Sequence, residues 1–246
     1  MKDNKIVVIT GAGISVESGI QPFRGANGIW EENPMEMATF AKYSSEPAVF
    51  LSWYYHRFVS CRHAMPNPAH HLLALQEVKV ITQNIDGLHR KANHPSGKMI
   101  EIHGCLTEKR IVNSTLRSSL IEADWDLVDE NNLEESLFKL FNIDKTGQID
   151  YEKSYRPHVL LFDEFYTDLY EYEQAIEWVH DADTVIFMGT SNSVGITEGI
   201  LRTSLNYQKE VIVVDPNPAP SFRIKGVKVV ESTATNFCRH YFTQDL

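Results

Sequence analysis

The sequence has no paired cysteines. Its three cysteines, Cys61, Cys105 and Cys238, lie far apart, and an odd number of distant cysteines gives no disulfide framework. No two of them form a C-x-x-C pair, and structural zinc sites are usually built from two such pairs. We therefore expect a protein of a reducing compartment that holds no structural zinc or other metal.

Long apolar runs and an excess of positive charge are also missing. No apolar run reaches the about 18 residues that a membrane helix needs. Residues 1–4 lead directly into a predicted strand, so we expect no secretory signal, no membrane partner and a cytoplasmic location. The formal net charge of −10 disfavours nucleic acid as a partner and mildly favours a basic peptide.

The sequence does contain short apolar runs that alternate with helical patterns. The predicted strands are 5–10, 78–82, 99–103, 159–162, 184–188, 210–214 and 227–230. The predicted helices are 47–63, 68–76, 171–180, 199–206 and 233–242. This alternation predicts an α/β fold with a doubly wound, Rossmann-like parallel sheet. The length of residues 1–246 suits one large domain, or one domain and a small module.

A glycine turn follows the first predicted strand. Gly11 and Gly13 would let the backbone approach a ligand closely, and the start of the next helix would offer free N–H groups to a phosphate. The third glycine of the Rossmann fingerprint is replaced by Val16. Taken alone, the turn is equally compatible with an ordinary tight connection from strand to helix.

Polar residues also follow three further strands, at 82–89, 102–104 and 189–194. Ligands of open α/β sheets bind beyond the carboxyl ends of the strands. Together with the glycine turn, these segments predict a shared site at one edge of the sheet.

At these segments the chain resembles the sirtuins, the NAD-dependent protein deacylases. The motifs, in the order of the family, are G-A-G-I-S at Gly11–Ser15, S-G-I at Ser18–Ile20, F-R-G at Phe23–Gly25, T-Q-N-I-D at Thr82–Asp86, H-G at His103–Gly104, R-P-H-V at Arg156–Val159 and G-T-S at Gly189–Ser191. The resemblance implies NAD as cofactor and an acyl-lysine protein or peptide as substrate. The implied products are nicotinamide, the deacylated lysine and O-acyl-ADP-ribose.

The resemblance also assigns roles to residues. His103 matches the general base that deprotonates a ribose hydroxyl, a step that NAD cleavage alone does not require; its alternative is a structural histidine at a strand end. Asn84 is the second residue matched to catalysis, through the hydrolytic water. The matched cofactor contacts are Gly11, Ala12, Gly13, Ser15, Phe23, Arg24, Gln83, Asn84, Asp86, Gly189, Thr190, Ser191 and Asn217. Asp86 could equally cap the following helix.

Two stretches belong to a small module in the resemblance. Residues 21–65 correspond to the cofactor loop and the helical part of this module. Residues 107–155 stand where sirtuins carry zinc, but only Cys105 lies between His103 and Arg156. Apolar residues in this stretch recur at near-helical spacing, so we expect a helical module without zinc. Its Asn142–Glu152 segment fits a calcium loop poorly and predicts a turn.

The substrate cleft is expected to involve Phe162 and Val194. Asp163 replaces the glycine of the family's F-G-E, which would add negative charge beside the peptide or narrow the cleft. Tyr54 and Arg57 stand where one sirtuin subclass places a Y-x-x-R pair that binds succinyl or malonyl carboxylates. Residues three apart share a helix face. The alternative is an exposed arginine beside an aromatic core residue.

Three functions remain open at this stage. The first is an NAD-dependent lysine deacylase that prefers acidic acyl groups. The second is the same fold acting as an ADP-ribosyltransferase or NAD hydrolase, which the altered loop Ile20-Gln21-Pro22 and the missing zinc site would suit. The third is a sensor that binds NAD or ADP-ribose without turnover.

Overall fold

The computed structural model describes residues 5–21, 34–192 and 195–242. The strands are β1 (Ile6–Thr10), β2 (Lys79–Thr82), β3 (Met99–Glu101), β4 (Gly104–Ile111), β5 (Ile121–Glu122), β6 (Tyr155–Val159), β7 (Thr184–Met188), β8 (Glu210–Val214) and β9 (Val227–Val230). The α-helices are α1 (Pro34–Met37), α2 (Phe40–Ser45), α3 (Pro47–Cys61), α4 (Pro68–Leu75), α5 (Leu88–Lys91), α6 (Leu133–Leu140), α7 (Tyr172–Asp181), α8 (Gly195–Asn206) and α9 (Ala234–Tyr241). The longest 3₁₀ helix, Ala12–Ser18, follows β1.

Six strands form a parallel sheet in the order β3-β2-β1-β7-β8-β9. In the central strand, Ile9 pairs with Ile81 on one side and with Phe187 on the other. Continuous valine and isoleucine runs suit such strands because both faces are covered. The doubly wound parallel sheet predicted from the sequence is therefore confirmed.

Helices cover both faces of this sheet. Val7 and Ile9 point to the face that packs against α7 and α8, while Val8 points to the opposite face, against α4 and α9. Successive side chains of a strand alternate in direction, so β1 contributes to both cores. This packing holds the carboxyl ends of β1, β2, β3 and β7 side by side at one edge.

A second, smaller unit forms around a three-stranded antiparallel sheet in the order β5-β4-β6. Its core joins α2 and α3 to α6, and Trp125 is fully buried there. The Trp125 indole N–H donates to the Leu106 carbonyl at 2.6 Å, and its ring stacks on Phe58. Aromatic packing thus holds this unit together.

One sequence expectation holds in part in this unit, and another is wrong. Residues 107–155 contain α6 and three short 3₁₀ helices, but also most of β4 and all of β5, so the module is helical only in part. The strand predicted at 159–162 lies instead at β6, which pairs antiparallel with β4. An apolar run without alternation does not reveal which strand it pairs with, and here the partner belongs to the small antiparallel sheet.

Within the described ranges, no group of three or more His, Cys, Asp or Glu could hold a metal ion. In the segment that weakly suggested calcium, the Asp144 carboxylate accepts hydrogen bonds from the backbone N–H groups of Thr146 and Gln148. This carboxylate therefore closes a turn. None of the described helices has both the length and the apolarity that crossing a membrane requires.

Candidate functional site

The glycine turn after β1 lies directly against the turn after β7. The Gly13 N–H donates to the Gly189 carbonyl at 2.8 Å. A Cβ on Gly13 would lie 2.6 Å from the Gly189 Cα, and a Cβ on Gly189 would lie 2.4 Å from the Ile14 nitrogen. The two backbones therefore touch in a way that only glycine permits. Two of the segments predicted to hold the cofactor are thus brought together.

A polar cluster connects this turn to the end of β2. Asn84 Nδ2 donates to the Gly11 carbonyl at 3.0 Å, and Ser15 Oγ donates to Asp86 Oδ2 at 2.7 Å. Asp86 Oδ1 accepts the Leu88 N–H at 2.9 Å, so Asp86 also caps the next helical turn. Burial raises the pKa of Asp86, and the bonds from Leu88 and Ser15 oppose that rise.

Asn84 has one free acceptor in the described part of the chain. Its side chain is 4% exposed, and its Oδ1 has no hydrogen-bond partner there. Buried polar atoms are nearly always paired. The neighbouring glycines allow a ligand to come close to the backbone. The unpaired Asn84 Oδ1 could then accept a hydrogen bond from a hydroxyl or amide group of that ligand. The residues present therefore suit the nicotinamide riboside part of NAD.

His103 follows β3 and is half-buried. Its Nδ1 lies 2.9 Å from the Gln83 carbonyl oxygen, and its Nε2 lies 2.8 Å from the Tyr166 hydroxyl. Burial lowers the pKa of His103 to about 4, although the bond to Gln83 opposes the shift. The imidazole is therefore neutral near pH 7.

The Gln83 side chain connects β2 to the far half of the site. Its Oε1 accepts from Thr197 Oγ1 at 3.1 Å, and its Nε2 donates to Thr190 Oγ1 at 3.4 Å. Thr190 is buried, whereas Ser191 is exposed. Asn217, after β8, is exposed and its N–H donates to Asp215 Oδ1. The predicted cofactor residues after β7 and β8 thus lie along one edge of the sheet.

A small cavity of about 40 Å³ opens beside the polar cluster. Its wall is formed by residues of the glycine turn, of α3 and of the segment after β2, and by Leu106: Ala12, Ser15, Ile20, Gln21, Arg57, Ser60, Cys61, Asn84, Ile85, Asp86 and Leu106. Arg57 therefore lies at the same cavity as Ser15 and Asp86. Its guanidinium stands over the Trp53 ring, 4.6 Å from the centroid, and burial lowers its pKa.

Tyr54 is placed differently from Arg57. It is 3% exposed and packs against Phe50 and Trp53. It does not line the cavity. Burial raises the pKa of its phenol, and the charge of Arg57 opposes that shift, so the two side chains are electrostatic neighbours. Of the predicted pair, the structure brings only Arg57 to the cavity wall.

The segment after β6 packs against α2. The Phe162 N–H donates to the Ala38 carbonyl, while its ring is about half exposed. The Asp163 carboxylate accepts the backbone N–H groups of Phe40 at 2.6 Å and Ala41 at 3.1 Å. A carboxylate is stabilised at a helix N-terminus. The negative charge of Asp163 is therefore engaged by α2.

Some predicted residues fall outside the described part of the chain. They are Phe23, Arg24 and Val194. Sequence reasoning also missed two contacts of the site, the Tyr166 hydroxyl on His103 and the Thr197 hydroxyl on Gln83, because no spacing pattern marks them. A larger cavity of about 520 Å³ lies elsewhere, between charged residues such as Arg90, Glu108 and Arg117. Arg90 pairs with Glu101 and Glu108, and Arg117 pairs with Glu171.

Comparisons with known proteins agree with this geometry. Residues 11–195 match the model of the Sir2 family. An NAD-dependent protein deacylase of Bacteroides thetaiotaomicron is 33% identical over 235 residues, which cover 94% of this chain and 93% of that protein. The NAD-dependent deacetylase sir2E of Dictyostelium discoideum is 31% identical over 245 residues, covering 94% of this chain and 70% of that protein.

The fold is also similar to solved structures. A crystal structure of a Sir2 homologue in complex with NAD superposes with a TM-score of 0.76 and 26% identity, covering 98% of this chain and 89% of the other. The family match includes the glycine turn, the polar cluster and His103. Because sequence and fold agree over most of its length, the chain belongs to the Sir2 family.

Proposed function

We propose that this chain, which is an NAD-dependent protein deacylase, prefers lysines that carry acidic acyl groups such as succinyl and malonyl. The observation that carries the proposal is the position of Arg57, whose side chain lines the same cavity as Ser15, Asn84 and Asp86. A guanidinium beside the reacting centre would meet the far end of an acyl group that is held there.

The recognition rests on charge and on shape. Arginine binds a carboxylate through a planar, bidentate fork, and the Trp53 ring beneath the guanidinium supports this plane. Ile20, Cys61 and Ile85 contribute apolar or weakly polar surface to the cavity wall, and Arg57 is the one cation among the described residues that line it. An acidic acyl group would offer Arg57 a carboxylate, an interaction that an acetyl group cannot make. Tyr54 packs against Trp53, whose ring lies under the guanidinium.

The residues with catalytic roles in this proposal follow the carboxyl ends of the strands of the main sheet. When bound, NAD supplies an activated ribose carbon that accepts the acyl oxygen as nicotinamide leaves. His103 Nε2 takes the proton of a ribose hydroxyl, which a neutral imidazole can do. Asn84 and Gln83 bind the ribose and a water, and Asp86 binds the carboxamide. The turns at 11–15 and 189–191 bind the phosphates, and Asn217 binds the adenosine ribose.

Replacing Arg57 tests the acyl preference. For Arg57→Ala we expect kcat/KM for a succinyl-lysine peptide to fall about 10- to 100-fold, the size of one charged hydrogen bond, while deacetylation changes by less than about threefold. The matched control is Arg62→Ala, which removes a cation one residue beyond the end of α3 and outside the cavity. An equal loss of both activities would reject the acid-acyl pocket.

The function itself is tested with the unmodified protein. NAD is supplied with matched acetyl-lysine and succinyl-lysine peptides, and peptide mass and free nicotinamide are followed together. Peptide-dependent nicotinamide release with a faster loss of the succinyl group supports the proposal. Nicotinamide release without deacylation would indicate ADP-ribosyl transfer or NAD hydrolysis. NAD binding without any turnover would indicate a sensor.

A further inference from the structure

Tyr166 contacts the basic nitrogen of His103, and no motif of the sequence assigns it a role. Its hydroxyl oxygen lies 2.8 Å from His103 Nε2. We propose that Tyr166 is a positioning residue, which holds His103 in the tautomer and orientation that leave Nε2 as the proton acceptor. This inference rests on the proposed function, in which His103 is the general base.

The hydrogen bonds of His103 determine its tautomer. A neutral imidazole carries one N–H donor and one acceptor nitrogen. The Gln83 carbonyl oxygen can only accept, so the 2.9 Å contact requires the proton on Nδ1. Nε2 is then the acceptor, and the Tyr166 hydroxyl donates to it. The two partners together select the Nδ1–H tautomer and fix the plane of the ring.

Tyr166 is itself held firmly in place. Its ring stacks on Tyr172 with the centroids 5.3 Å apart, and it packs against the core cluster beneath α7 and α8. Burial and the neighbouring Tyr172 raise the pKa of the Tyr166 phenol. The phenol therefore keeps its proton throughout the neutral range, and the donor is always present.

The proton transfer requires an exchange of partners at Nε2. When a ribose hydroxyl reaches this nitrogen, it replaces the Tyr166 hydroxyl as the donor. The ribose O–H bond then breaks, a new N–H bond forms at Nε2, and the electron pair of the O–H bond stays on the ribose oxygen. Before the ribose hydroxyl arrives, the hydrogen bond from Tyr166 holds His103 Nε2 in the orientation that faces the site.

The decisive variant is Tyr166→Phe, which removes the hydroxyl and keeps the ring. We expect formation of deacylated peptide to fall about tenfold, which is the size of one lost hydrogen bond. Peptide-dependent exchange of labelled nicotinamide into NAD should stay within about twofold, because NAD cleavage precedes the proton transfer. Tyr172→Phe is the matched control, since it removes the adjacent phenol hydroxyl and leaves both steps unchanged.

A double variant sharpens the test. If Tyr166 acts only through the imidazole, adding Tyr166→Phe to His103→Asn should cause no further loss, because the two positions share one function. An independent further loss would contradict the proposal. Three results for Tyr166→Phe alone would also contradict it: an increase in deacylation, no change in deacylation, or an equal fall in nicotinamide exchange and deacylation. The last of these would indicate structural damage.

A spectroscopic readout separates this inference from the proposed function. Long-range ¹H–¹⁵N spectra of the histidine side chains, assigned with His103→Asn, should show His103 as the Nδ1–H tautomer and should show a share of the Nε2–H tautomer in Tyr166→Phe. An Nε2–H tautomer in the unmodified protein would overturn the inference even in an active deacylase. An inactive protein with the expected tautomers would instead count against the proposed function.

Discussion

His103→Asn is expected to lower the rate of deacylation by about 10²- to 10⁴-fold, the usual contribution of a general base. Asparagine can still reach the Gln83 carbonyl through its amide N–H, but it cannot accept a proton near neutral pH. The loss should therefore affect the proton transfer and leave the folded site intact. Deacylated peptide, measured by mass spectrometry under single-turnover conditions, checks this expectation.

The control for this variant is His94→Asn. His94 is also a buried imidazole, and its Nε2 lies 2.9 Å from the Val78 carbonyl oxygen. It lines the larger, charged cavity and not the site beside Arg57. Its replacement should change deacylation by less than a few-fold. Retention of at least a tenth of the activity in His103→Asn would mean that another group is the base.

The second large effect is a loss of stability in acid, caused by buried histidines. Burial lowers the pKa of His70 to about 4, that of His103 to about 4 and that of His158 to about 3. It also lowers the pKa of His89 and His94. The His70 and His89 rings are 4.8 Å apart, and the His89 and His94 rings are 5.8 Å apart, so these three charges would also repel.

The direction of the effect follows from proton binding. In the unfolded chain these five histidines bind protons below their ordinary pKa of about 6.5. In the folded protein His70, His103 and His158 stay neutral down to about pH 4, and burial also disfavours the charged forms of His89 and His94. Two buried carboxyls act in the opposite sense, because burial raises the pKa of Asp86 and raises that of Glu101 to about 7. Counting only His70, His103 and His158 against Glu101, the unfolded state binds about two more protons near pH 5. The free energy of unfolding therefore falls by about 3 kcal/mol for each unit by which the pH is lowered.

Urea unfolding at several pH values measures this effect. The urea concentration at the midpoint of unfolding should fall steeply as the pH is lowered from 6.5 to 4.5. The expected loss in the free energy of unfolding over this range is comparable to the whole stability of many domains. His70→Asn should reduce the slope by about one proton, or about 1.4 kcal/mol per pH unit. A midpoint that stays constant from pH 7 to pH 5 would contradict the burial of neutral histidines.

The main sheet was predictable from the sequence, and the small unit was not. Runs such as 184–188 and 210–214 are apolar at every position or nearly so, which is typical of strands covered on both faces, and both strands have the predicted bounds. In the stretch 107–155, the apolar residues suggested a helix face. Leu137 and Phe138 do lie on the buried face of α6. Leu116 and Leu127 are instead 64% and 74% exposed, so the spacing of these two residues carried no information about packing.

The candidate site also contains residues that the sequence predicted and residues that it did not. Residues adjacent to strand ends, such as Asn84 and His103, were found because the sheet determines where strand ends meet. Tyr166 was missed because its contact with His103 spans 63 residues and depends on how the segment after β6 packs. The separation of Tyr54 from the cavity was missed because helix periodicity places both residues on one face without giving the depth of either.

The strand order has a consequence for the synthesis of the chain. β1 is central in the main sheet, yet its neighbour β7 begins at Thr184. At roughly 5 to 20 residues per second, a ribosome would take roughly 10 to 35 s to make residues 11–183, so one edge of β1 stays unpaired for that time. An apolar strand with an open edge is prone to aggregate. The nascent N-terminal half therefore depends on being shielded until β7 emerges and completes the centre of the sheet.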